Sequence, residues 1–122
     1  MNMLFEVKNH KALQDAADAF CVFLTERNVP EERIFDSRLV VFELVGNVLK
    51  HSHGTAQVRL EILSDGFIEL KVFSALPFCP PRESRLSDPY AEGGRGLFIV
   101  DNVCAERTFT DDGAIRVLIK IN

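Results

Sequence analysis

The stretch DSRLVVFELVGNVLKH, residues 36–51, decides the fold. Its apolar residues recur at helical spacing: Val41, Leu44, Val45, Val48 and Leu49 share one broad face, and Leu39, Val40 and Phe42 carry it onto the flanks. A helix this apolar must bury most of its surface, so the rest of the chain has to supply a layer to bury it against. Glu43, Asn47, Lys50 and His51 stand at i, i+4, i+7 and i+8, which at 3.6 residues per turn puts them within about 100° of one another. A merely solvated face would carry Glu, Lys or Gln. Here Gly46 and Asn47, both poor helix-interior residues, sit side by side, and a glycine there leaves room for another group to approach. The chemistry of the stripe is coherent. Asn47 offers a neutral oxygen to a hard cation such as Mg²⁺, Glu43 can accept a proton from an attacking hydroxyl, and Lys50 can place positive charge on a phosphate. His51, at the end of the helix, either joins this set or serves as a cap or packing residue.

Outward from this helix, residues 3–8 alternate as a short strand, and residues 11–28 form an amphipathic helix through Leu13, Ala16, Ala17, Phe20, Phe23 and Leu24. Pro30 and the Glu31-Glu32 pair break that helix and start another turn, and Asp36 or Ser37 is the expected cap of the next helix. Residues 56–63 and 67–73 alternate around Ser64-Asp65-Gly66, a hairpin signature, and residues 108–110 and 114–121 form a second hairpin over Asp111-Asp112-Gly113. Residues 75–92 hold four of the five prolines and read as an irregular loop, the candidate lid, ahead of a helix over 93–105. The order β-α-α-β-β-loop-α-β-β predicts one domain over 1–122: an α/β two-layer sandwich of the α+β kind, with a mixed, mostly antiparallel sheet and helices on one face.

With 122 residues, 47% of them hydrophobic and 26% charged, the chain can bury a single core. A net charge of −4 argues against a general nucleic-acid or membrane binder. No apolar run reaches the roughly 20 residues a bilayer requires, and the N-terminus lacks the layout of a signal peptide. Cys21, Cys79 and Cys104 are scattered, without a CxxC pair, as expected for reduced thiols in the cytoplasm.

The second signal is Glu92-Gly93-Gly94-Arg95-Gly96-Leu97-Phe98-Ile99-Val100, three glycines in four positions before an apolar helix. Glycines permit close approach of backbone N–H groups to an anion, and a helix N-terminus adds partial positive charge. Arg95 can add more. The run matches neither the Walker P-loop nor the Rossmann fingerprint.

Together the two segments carry a family resemblance. Glu43 to His51 resembles the N-box of the GHKL superfamily of Bergerat-fold, histidine-kinase-like ATPases, and Gly93 to Val100 is similar to the second glycine box of the anti-sigma-factor serine/threonine kinases. The resemblance implies a Bergerat ATP-binding fold with ATP and magnesium as cofactors. It makes Asn47 the magnesium ligand and Glu43 the general base. Lys50 and His51 would contact the nucleotide, and Gly93, Gly94, Arg95, Gly96 and Leu97 would hold its phosphates under the lid. The start at a strand suits a stand-alone kinase domain better than a whole sensor kinase. Its implied partners are a sigma factor or other output protein and an antagonist bearing the phospho-accepting serine or threonine, with no nucleic acid or membrane; related kinases are commonly homodimers. The chain departs from the pattern at the first glycine box, where the family has an adenine-binding Asp followed by glycine. Here the stretch is Val72 to Pro80, and the Asp position is Phe73 or Ser74. Losing a charge-assisted bond to adenine costs about 1.5–3 kcal/mol, roughly 10- to 200-fold in affinity. Two readings follow: an ATP-dependent kinase of a partner-switching pathway, or a degenerate Bergerat domain that binds a protein partner without ATP turnover.

Overall fold

A computed structural model describes residues 2–52, 55–74, 100–111 and 113–121. The chain runs β1 (Asn2–Val7), α1 (His10–Glu26), α2 (Glu31–Ser52), β2 (Ala56–Ile62), β3 (Phe67–Ser74), β4 (Glu106–Phe109) and β5 (Ala114–Lys120). Residues 100–103 are helical, with Cys104 N–H donating to the Val100 carbonyl at 2.9 Å. The strands form one sheet in the order β1-β2-β3-β5-β4. Every described pair is antiparallel, so the sheet is not mixed as expected. The architecture is the α+β two-layer arrangement of the sequence reading.

Local chemistry explains the element boundaries. Asn9 caps α1, its side chain accepting from Ala12 N–H at 2.8 Å. At the other end Asn28 takes φ 61°, Asn28 N–H donates to the Thr25 carbonyl and Val29 N–H to that of Leu24, a Schellman closure. The turn that Pro30 starts is the first turn of α2 itself. The Pro30 carbonyl accepts from Arg33 and Ile34, and Glu31 and Glu32 lie in the first turn, where acidic side chains complement the helix dipole. The helix therefore begins five residues before Asp36, and neither expected cap acts as one. Ser37 Oγ donates back to the Arg33 carbonyl at 2.8 Å and Asp36 pairs with Arg33 at 3.1 Å, both inside the helix. Both hairpins close as expected, over Gly66 at φ 89° and Gly113 at φ 86°. β4 begins two residues earlier than the alternation suggested, and the helix expected to reach residue 105 stops at 103.

The core lies between the helices and one face of the sheet. Val40, Val41, Leu44, Val45 and Val48 of α2 are each at most 2% exposed and pack with Leu13, Ala17, Phe20 and Leu24 of α1. The facing strands supply Val58, Leu60, Ile68, Leu70, Val117 and Ile119. Phe5 of β1 meets the Phe20 ring edge-on at 5.3 Å. On the opposite face of the sheet Glu69 is 8% exposed and is held by Arg116 Nε at 2.6 Å.

Candidate functional site

A cleft of about 630 Å³ opens beside α2, within the range usual for small-ligand sites. One wall is α2 itself, contributing Phe42, Glu43, Gly46, Asn47, Leu49 and Lys50. The other is the junction of β1 and α1, with Lys8, Asn9 and His10. Three of the four stripe residues, Glu43, Asn47 and Lys50, thus share one wall; the side chain of His51 falls outside the described residues. Glu43 and Asn47 are half-buried and Lys50 is exposed. Leu49, assigned by its spacing to the core face, does both: it packs against the core and lines the cleft.

The two sides of α2 follow different rules. Its core side is closed by branched apolar residues. On its cleft side Gly46 is set into the middle of a 22-residue helix, although a mid-helix glycine costs about 1 kcal/mol relative to alanine. A Cβ built there meets no described atom within 4 Å. The space above it is open to the cleft.

The topology places the end of β3 near this cleft. Val7, Ala56 and Ser74 form one row across β1, β2 and β3, and Lys8 follows Val7 directly into the cleft wall. Alternation along β3 also separates the two candidates for the adenine contact. Ser74 lies opposite buried Ala56, on the helix-facing side with Val72 and Leu70. Phe73 lies opposite Gln57 and Ala114, on the other side of the sheet. The hydroxyl of Ser74 is buried and has no hydrogen-bond partner among the described residues. A buried unsatisfied hydroxyl is uncommon, and a ligand or water is a usual explanation.

Gly93, Gly94, Arg95, Gly96 and Leu97 of the glycine-rich run, the loop over 75–92 expected as a lid, and Cys79 all lie outside the described residues. Cys21 and Cys104 are free thiols. Burial pushes the Cys104 thiol up to about 12, with the Asp101 and Asp36 charges adding and Arg107 opposing, so at neutral pH it is protonated and no nucleophile. Among the described residues no cluster of His, Cys, Asp or Glu has the makings of an all-protein metal site. A magnesium ion held by one side-chain amide and by phosphate oxygens does not need one. No described helix is long and apolar enough to cross a membrane.

Sequence reasoning missed the Lys8-Asn9-His10 wall. Asn9 before an apolar-periodic run was a legible capping signal; its apposition to the stripe is a tertiary fact. Comparison with models of known protein families and with curated proteins finds no match for this chain.

Proposed function

We propose that this chain is an ATP-binding protein serine/threonine kinase of the anti-sigma-factor type, with the Bergerat fold, acting in a cytoplasmic partner-switching pathway. The observation that carries the reading is the single α2 wall on which Glu43, Asn47 and Lys50 stand together beside the bare backbone of Gly46. The residues present fit the implied cofactors. The cleft has ligand dimensions, Asn47 offers an amide oxygen, Lys50 a cation, and the orphaned Ser74 hydroxyl lies at the same end of the sheet.

Bound ATP would supply a transferable phosphoryl group, and bound magnesium would offset the charge that builds on it. The chain's own residues then have separable tasks. Asn47 Oδ1 would hold the cation without adding negative charge of its own. The Lys50 ammonium attracts the anion. Glu43, a half-buried carboxylate one turn from Asn47, would take the proton from the acceptor serine or threonine hydroxyl, the phosphoryl group passing to that oxygen as its bond to ADP breaks and ADP leaves. The acceptor protein is the antagonist, and the output protein is a sigma factor or its equivalent.

Titration with ATP and magnesium tests this directly. Wild type binds, Asn47→Ala loses the magnesium-dependent component, and Glu43→Gln binds normally but transfers no phosphate to an acceptor. Ser74 favours a second reading. A neutral hydroxyl in place of a carboxylate weakens adenine recognition, as in a degenerate domain that only binds a protein partner. Absence of nucleotide binding by wild type at millimolar ATP with magnesium would select that second reading.

A further inference from the structure

The tasks assigned above leave Gly46 unused. On the surface of a helix the nearest neighbours of a residue are those three and four positions away. For Gly46 these are Phe42, Glu43, Leu49 and Lys50, and all four line the cleft. Gly46 is therefore the middle of the α2 wall, not its edge. At about 100° per residue, Phe42 and Leu49 fall on one side of it and Glu43, Asn47 and Lys50 on the other. The wall is apolar on one flank of the glycine and polar on the opposite flank.

Among the described residues neither packing nor backbone geometry demands a glycine here. No described atom lies within 4 Å of a Cβ built at this position, and Gly46 is not among the residues with positive φ. A residue that weakens the helix thus stands where a side chain would project into the cleft.

We infer that Gly46 sets the size of what the cleft admits: the nucleotide lies directly against the bare α2 backbone, and a side chain at position 46 displaces it. The inference rests on the kinase reading for the identity of the ligand. It also separates binding from stability, because a residue that fills open space over a helix strengthens the helix while it obstructs the ligand.

The experiment measures thermal unfolding without ligand, and titration with ATP and magnesium, for wild type, Gly46→Ala and Gly46→Leu. Gly46→Ala should raise the melting temperature by about 3–6 °C, and Gly46→Leu should not lower it. Affinity should fall in the order glycine, alanine, leucine, with a loss of about tenfold or more for leucine, the size expected for overpacking a fitted site. If the leucine variant does not fold, the alanine variant decides by itself, through a raised melting temperature together with weakened binding. A lower melting temperature for Gly46→Ala would make the glycine a requirement of the fold and overturn the inference. Binding by wild type with unchanged affinity in the variants would overturn it too, while leaving the kinase reading intact. No binding by wild type would end that reading and this inference together.

Discussion

The two sides of α2 make an instructive pair. On one side Val40, Val41, Leu44, Val45 and Val48 are at most 2% exposed and interlock with α1 and the sheet. On the other, within the same turns, Glu43, Gly46, Asn47 and Lys50 face a cleft. The first side obeys the rules of a core: apolar, branched and buried. The second breaks the rules of a helix, with a glycine and an asparagine adjacent in its interior and two half-buried polar side chains. Sequence positions only one residue apart, such as Leu44 beside Glu43 or Val48 beside Asn47, therefore answer to different demands. Substitutions on the core side should lower stability and leave the chemistry alone, and those on the cleft side should impair the chemistry without a large loss of stability.

The largest expected effect tests the core side. Leu44→Ala removes a fully buried side chain and should cost about 2–5 kcal/mol by chemical denaturation. A cost below about 1 kcal/mol would mean that the core side is loosely packed and the contrast false. Next, Glu43→Gln should lower phosphotransfer by about 10²- to 10⁴-fold while shifting stability by no more than about 0.5 kcal/mol. A large loss of stability would return Glu43 to a structural role. Ser74→Asp probes the sheet end of the same site. Because Ser74 faces the helices and Phe73 does not, only the substitution at 74 should tighten ATP over GTP, by roughly 10- to 200-fold. Phe73→Asp is the matched control, and calorimetry with both nucleotides reads the difference. Asn9 belongs to both categories, since it caps α1 and lines the cleft. Asn9→Ala should cost about 1 kcal/mol in unfolding and blur the division at that one position.

The packed side also carries a pH dependence. Cys104, partly buried against the core, has its thiol raised from 9.0 to about 12 chiefly by burial. Its contribution to stability is complete below the unfolded value and declines as pH rises from about 9 through about 12. Melting temperatures of wild type and Cys104→Ala should therefore diverge only across that alkaline window. Parallel curves would show that the thiol is as solvated in the folded chain as in the unfolded one.

Much of this division was legible in the sequence, because it is written in helical periodicity. The stripe through Glu43, Asn47 and Lys50 follows from spacing alone, as do the hairpins from Asp65-Gly66 and Gly113. What escaped depends on tertiary apposition or on two local signals in competition. Asp36 and Ser37 looked like caps, but Pro30 with two acidic residues behind it is the stronger start, so five further residues joined the helix. The choice between Phe73 and Ser74 required the strand register, which no single segment carries. The Lys8-Asn9-His10 wall required the return of α2 past the end of β1.

The order of the strands has a consequence for how such a domain can change over time. β3 hydrogen-bonds to β5, not to β4, although β4 comes first in the chain. Among the described residues β4 therefore lies at the edge of the sheet, and β5, which follows it, lies between β4 and β3. The ladder between β3 and β5 is fixed by residues 67–73 and 114–120 alone. Lengthening the chain that intervenes adds little entropic penalty, about 0.6 kcal/mol for each doubling of a flexible connection. The register of the β3–β5 ladder thus does not depend on the length of the chain between those strands, and changes of length there can accumulate while the ladder persists.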